Sequence, residues 1–215
     1  EISHRHCKSS MAFYEAMEEQ IKSVRAKQEN FPERSTESGV RLVSFDSEAV
    51  TKVAAALLYA NTNQGLPELQ KYCNALSEEE VAKILDAACS TRENRRHKSP
   101  RALEHAEFTF EIVADYGIYR DLQRHRILTQ DRQLLTCDYG FYSPVELRGT
   151  EAYKEYCDAM GKAKEVFDTI VDELPEEAQY VVPMAYNIRW YFHVNLRSLQ
   201  WLCELRSSAA GHPGY

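Results

Sequence analysis

The stretch EFTFEIVADYG, residues 107–117, places Phe108, Phe110 and Ile112 at every second position. Side chains of an extended chain alternate between the two faces of a sheet, so this spacing predicts a strand with one apolar face. One such strand cannot bury that face alone. Two more stretches have strand character: VRLVSFD, with Val40, Leu42 and Phe45 apolar, and the aromatic-rich MAYNIRWYFHV near the end of the chain. Between and around them the apolar spacing is helical. Residues 11–29 put Met11, Tyr14, Met17, Ile21 and Val24 on one side. SEAVTKVAAALLYA is a second helix, with Ser47 as its expected cap. Ser77 and Glu80 form a capping box opening SEEEVAKILDAACS. TEAYKEYCDAMGKAKEVFDTIVDEL is a long amphipathic helix, Pro175 opens a short one, and Asn195 caps a last one. Trp190, Tyr191, Phe192 and Trp201 are expected in the core, where aromatics bury most area. The fold class is α+β: a small sheet with surrounding helices, a long helix pair among them.

The 215 residues suit one large domain, or one domain with an extension, and 44% hydrophobic content is enough for a sizeable core. A net charge of -7 argues against a general nucleic-acid binder. A local basic site is compatible with it, because local potential can differ in sign from net charge. No apolar run approaches the roughly 20 residues of a membrane span, and EISHRHCKSS is not a signal peptide. The expected location is cytoplasmic. Six scattered cysteines without a C-x-x-C pair read as reduced thiols. His4, His6 and Cys7 stand close in sequence, but a polar chain start is the better reading than a metal site, and no metal is expected. The first residue, Glu1, and the end AAGHPGY suggest a piece of a longer chain.

YRDLQRHRILTQDRQLLTCD, residues 119–138, crowds Arg120, Arg124, Arg126 and Arg132 around His125 in an acidic protein. Guanidinium is planar, permanently charged and bidentate, which suits phosphate. On a continuous helix Arg124 and Arg126 lie about 200° apart and cannot serve one anion, so a turn after Arg126, or two phosphates, is needed. The competing reading is a solvated run paired with Asp121 and Asp131.

Three blocks resemble the flavin-dependent thymidylate synthases. HKSPRALEHAEFTF matches that family's H-x-S-P-x-x-x-E-H-x-x-F-T-F block through His97, Ser99, Pro100, Glu104, His105, Phe108, Thr109 and Phe110. Arg124-His125-Arg126 matches its R-H-R, and PMAYNIRWYFHVNLRSLQWLCELR its late strand and helix. Their order makes the set more specific than any one block. The resemblance covers roughly residues 40–215. It implies a domain at 39–215 behind a helical extension or linker at 1–38. It also implies a homo-oligomer, a tetramer, with FAD held between subunits. FAD, NADPH and methylenetetrahydrofolate would together methylate a dUMP-like nucleotide to give dTMP. By resemblance His105, Arg124, His125, Arg126, Asn195 and Arg197 are cofactor-side residues, and Arg126 and Arg206 meet the nucleotide. Read from spacing alone, His105 is a strand-edge histidine, Asn195 a helix cap, Arg197 a surface charge and Arg206 a cation at a helix C-terminus. No catalytic residue is assigned.

The family signature continues R-H-R-x-x-S-x-N-E-x-S-x-R-Y, and here the chain departs from it. Thr129 and Asp131 are mild changes; Arg132, Leu134, Thr136 and Cys137 stand for the glutamate, second serine, arginine and tyrosine. Asp121 replaces a nucleotide-binding glutamine and Gln179 an arginine. These changes remove positive charge where a phosphate would sit. Two readings follow: a flavoenzyme of the family acting on dUMP or a related nucleotide, or a non-catalytic homologue serving as a structural or regulatory half of a longer or multi-subunit protein.

Overall fold

The computed structural model describes residues 2–209, 211 and 214. The chain divides into two compact units, Glu1–Ser35 and Thr36–Tyr215. The first is helix α1 (Ile2–Ala26) and the segment after it, in which Tyr14, Met17, Ile21 and Val24 are all exposed. Within it Arg25 lies over the Phe31 ring at 4.9 Å. The His4 and His6 side chains lie outside the described residues, and Cys7 is exposed.

The second unit is built on a four-stranded antiparallel sheet of order β1-β2-β4-β3, with β1 at Gly39–Phe45, β2 at Glu107–Asp115, β3 at Thr129–Arg132 and β4 at Asn187–Asn195. The register puts Phe108, Phe110 and Ile112 directly opposite Val194, Phe192 and Trp190. Directly opposed residues of an antiparallel pair share a face, so the alternation in both strands creates one apolar surface. Ile188, Trp190, Phe192 and Val194 are all buried on it. Helix α5 (Tyr116–Leu122), helix α6 (Glu151–Ile170) and a 3₁₀ turn at Glu177–Val181 cover that surface through Tyr119, Leu122, Phe167, Ala178 and Val182. The same face continues onto β1 through Val40, Leu42 and Phe45, but there it is exposed. The register slips between Leu42 and Ser44.

A second cluster joins α2 (Ala49–Tyr59), α3 (Leu66–Ala75) and α4 (Glu78–Cys89) around Ala54, Ala55, Leu69, Cys73 and Val81. Small residues on α2 let the three helices approach closely. The two long helices of the chain are α1 and α6. The α+β class read from the sequence is what the chain adopts. Ser77 and Glu80 form the expected capping box, and Asn195 accepts from Ser198 N at 2.9 Å to cap α7 (Leu196–Arg206).

Three local expectations need correction. Ser47 does not cap α2; Asp46 takes the Glu48 N–H at 2.9 Å instead, and its carboxyl is held below the usual range, chiefly by Lys52. Helix α3 was not expected, although Pro67 at its first turn follows the rule that proline suits a helix start. Strand β3 was not expected either, because its four residues are all polar. It forms because β4 offers it a ladder, Thr129 to His193 and Arg132 to Trp190. Among the described residues no helix is long and apolar enough to cross a membrane.

Candidate functional site

Three segments distant in sequence meet at one end of the sheet. Glu107 of β2 stands opposite Asn195 of β4, so the chain entering β2 and the start of α7 are neighbours. Leu196 N donates to Ala106 O at 2.8 Å and closes that junction. Asp115, at the far end of β2, caps α5 by accepting from Ile118 N. The chain then runs back along the sheet, and the pairing of Thr129 with His193 returns residues 124–128 to the end where α7 begins.

Helix α5 ends at Leu122, so the turn comes before Arg124 rather than after Arg126. Both arginines therefore leave the helix geometry that would have set them apart. The four arginines of the run separate. Arg124 and Arg126 line a cavity of about 1420 Å³. Arg120 lies 6.0 Å over the Tyr116 ring, and Arg132 donates to Gln133 O and Gln179 Oε1.

The cavity has three walls. One carries Arg124, His125 and Arg126; α7 supplies Arg197, Trp201 and Arg206; the loop before β2 supplies Arg92, Arg95, Arg96 and Lys98. Eight basic side chains face two carboxylates, Asp121 and Glu204. The cavity is thus strongly positive within a chain of net charge -7. Like charges so close are held at a cost that an anion relieves. The volume exceeds the roughly 300–1,000 Å³ of a typical small-ligand cleft.

Several cations are already engaged. Arg197 donates to Glu104 Oε1 at 2.8 Å and to Ser99 O at 3.0 Å. Arg101 and Arg197 together hold the Glu104 carboxyl below its usual range. Arg206 donates to Asp121 O at 2.8 Å and, through Nε, to His125 Nε2 at 3.2 Å. Nε2 can accept only when it carries no proton, so His125 is the neutral, Nδ1-protonated tautomer. Burial, and then the Arg206 charge, push its pKa below the ordinary value.

A pH dependence follows. His125 resists protonation when folded, so the unfolded chain takes the proton first as pH falls below about 6.5. Its stabilising contribution is complete above that value and declines as pH falls toward the lowered folded pKa. His125→Gln keeps an acceptor for Arg206 and removes the proton site. Denaturant midpoints at about pH 7.5 and pH 5.5 should differ less in the variant than in the wild type, both pH values lying above the carboxylate range. Equal differences in the two proteins would exclude His125 as the source.

His105 and Asn195 do not line this cavity. His105 is exposed and lines a separate depression of about 530 Å³ with Tyr59, Leu66, Arg101 and Glu104. Asn195 is occupied as the α7 cap. The positions where positive charge was found missing are half-buried and engaged: Gln179 Oε1 accepts from Leu135 N and Arg132, and Thr136 Oγ1 accepts from Asp138 N. Asp121 does face the cavity. Of the aromatics expected in the core, Trp190 and Phe192 are buried, while Tyr191 and Trp201 are 43% and 49% exposed. Tyr191 takes the outward position of β4, and Trp201 lies in the cavity wall. The residues missed from sequence were Arg92, Arg95, Arg96, Lys98 and Trp201. The run RENRRHKSP, residues 92–100, was the signal for the four cations, and nothing local marked Trp201.

The fold is thus an α+β domain whose antiparallel sheet carries a basic, aromatic-edged cavity at its strand ends. Residues 41–214 match the family described as thymidylate synthase complementing protein, and the chain belongs to that family. The resemblance to flavin-dependent thymidylate synthases is thereby borne out. The chain is 52% identical over 206 residues to a UPF0159 protein of Chlamydia pneumoniae, covering 95% of this chain and 39% of that protein. It is 48% identical over 215 residues to a UPF0159 protein of Chlamydia muridarum, covering 100% of this chain and 41% of that one. A UPF0159 protein of Thermoplasma acidophilum is 34% identical over 177 residues, 80% of this chain and 35% of its own length. The chain spans about two fifths of the length of the curated relatives it matches.

Proposed function

We propose that the chain is an FAD-binding member of its family that takes part in methylating dUMP or a related nucleotide. The convergence of Arg124, Arg126, Arg197 and Arg206 on one cavity carries this reading. A pyrophosphate-bearing cofactor suits the donor set: permanent cations, a neutral histidine and an exposed tryptophan ring on one wall. Arg124 and Arg126, which extend from a turn, would hold phosphate. Arg197, braced by Glu104 and the Ser99 carbonyl, would hold it at fixed geometry. His125, kept neutral by Arg206, offers Nδ1–H as a donor to a carbonyl or ring nitrogen. Trp201 offers a flat apolar surface to a ring. When bound, the flavin supplies hydride chemistry between NADPH and the methylene carried by methylenetetrahydrofolate; the chain binds and orients.

In this reading Arg126 and Arg206 also serve the nucleotide. His105 and Asn195 belong to a site that a second subunit completes, in a homo-oligomer expected to be a tetramer. The domain is residues 39–215, the preceding residues are an extension, and the protein works in the cytoplasm. A second reading, a structural or regulatory half of a longer protein, is favoured by two observations. The chain matches only 39% of a longer relative, and Asp121 puts a carboxylate in the cavity.

A visible absorption spectrum of the purified chain with added FAD, followed by titration with dUMP, separates the two. Bound oxidised flavin perturbed by dUMP supports the enzyme. Bound flavin indifferent to dUMP points to a different nucleotide. A protein that retains no flavin leaves the non-catalytic reading.

A further inference from the structure

We infer that the loop carrying Arg95, Arg96 and Lys98 is a second anion subsite of the cavity, built to take the phosphate of a nucleoside monophosphate beside the flavin. The inference rests on the nucleotide reading of the cavity but assigns residues that reading does not use.

The loop is held in place. Arg92 donates bidentately to Glu204 of α7, at 2.6 and 2.8 Å, and its Nε donates to His97 O at 2.8 Å. Ser99 Oγ donates to Gln200 Oε1 at 2.6 Å, and Arg197 Nε to Ser99 O at 3.0 Å. Inside the loop Arg96 N donates to Asn94 Oδ1 at 2.9 Å. Both ends of the loop are thus tied to one helix, and its turn is closed from within. A basic loop on a solvated surface needs no such ties; a preorganised one lowers the entropy lost on binding.

Like Arg126, and unlike Arg92, Arg124, Arg197 and Arg206, its three cations are not committed to a carboxylate or carbonyl among the described residues. Arg92, Arg197 and Arg206 are committed to Glu204, Glu104 and Asp121 O, and Arg124 is 3.7 Å from Asp121. The Arg95, Arg96 and Lys98 side chains are exposed and make no hydrogen bond or close ion pair with the described residues, although Arg95 is near enough to Glu204 to add to the lowering of its carboxyl, after Arg92. Glu204, the acidic group of that wall, already carries Arg92 and also accepts from Gln200 Nε2 at 3.1 Å. Positive charge is therefore left over at the loop, and a phosphate dianion is the small group that neutralises two cations at once. Trp201 lies in the wall formed by the same helix, so a phosphate on the loop has an aromatic surface within the same cavity for its ring.

Calorimetry on the full chain tests this, with dUMP, deoxyuridine, inorganic pyrophosphate and FAD as probes. The wild type should bind dUMP and pyrophosphate, and deoxyuridine more weakly. Arg95→Ala with Arg96→Ala should weaken dUMP and pyrophosphate about tenfold or more, leaving FAD within about threefold. Arg95→Lys with Arg96→Lys should recover part of the loss, and Lys71→Ala, on exposed α3 surface, should change nothing. The substituted side chains are exposed, so a thermal melt should show the wild-type transition. Dependence of dUMP binding on Arg95 and Arg96 in a chain that binds no FAD would uphold the subsite and remove the flavin reading. The subsite is refuted if the double alanine variant binds dUMP like the wild type, if it loses FAD in parallel, or if the wild type binds neither dUMP nor pyrophosphate.

Discussion

Trp190→Ala is expected to lower the unfolding free energy by about 3–5 kcal/mol, a large part of the roughly 5–15 kcal/mol that holds a domain together. Trp190 is 1% exposed in the middle of β4, with Ile112 opposite on β2 and Arg132 opposite on β3. Its ring meets Tyr119 of α5 edge-on at a centroid distance of 5.4 Å, so truncation opens a void between sheet and helix. The indole also carries a penalty: Nε1 is buried with no hydrogen-bond partner among the described residues. A buried unpaired donor costs about 1–3 kcal/mol. Trp190→Phe removes that donor while keeping most of the ring, so its net cost should stay below about 1.5 kcal/mol. Urea denaturation of the three proteins measures both values. A phenylalanine variant as damaged as the alanine one would mean the indole's full shape, not its apolar bulk, holds the sheet.

The double variant Arg124→Ala, Arg197→Ala should lose retained flavin. Removing Arg124 leaves Asp121, 3.7 Å away, without that cation. Removing Arg197 releases Glu104 from its 2.8 Å partner and the Ser99 carbonyl from its donor. The cavity thus loses two positive charges, and two carboxylates, Asp121 and Glu104, are left less compensated. A hydrogen bond to a charged group is worth about 1.5–3 kcal/mol, so the pair represents roughly two to four powers of ten in affinity. Visible absorption of the protein after gel filtration with FAD reads the result. Arg148→Ala, exposed and away from the cavity, serves as the control for lost charge alone. A double variant that stays fully yellow would remove both arginines from the cofactor assignment.

The cofactor and substrate assignments depend on how charges are distributed around the cavity, and sequence spacing reached only part of that distribution. Arg124, His125 and Arg126 were legible because an R-H-R between two ordered blocks is a specific signal. The loop cations were visible as a basic run, but nothing local says that Arg92 pairs with Glu204, a residue 112 positions away. Trp201 was assigned to the core because aromatics usually are buried, and α7 instead turns it into the cavity wall. Gln179 and Thr136 looked like lost phosphate ligands; packing shows them holding backbone N–H groups.

The sequence by itself determined what depends on neighbours along the chain. Alternation in EFTFEIVAD and NIRWYFHV sets strands because extended backbone shows its side chains on alternate faces. Ser77 with Glu80, and Asn195, mark helix starts because a side-chain oxygen satisfies an N–H two or three residues on. Tertiary structure alone decided the all-polar strand β3, whose ladder comes from β4, and the separation of Arg120 and Arg132 from Arg124 and Arg126. It also decided the cavity. Electrostatic potential sums over distance in space, and the register of β2, β3 and β4 is what brings three separated stretches of charge to one end of the sheet.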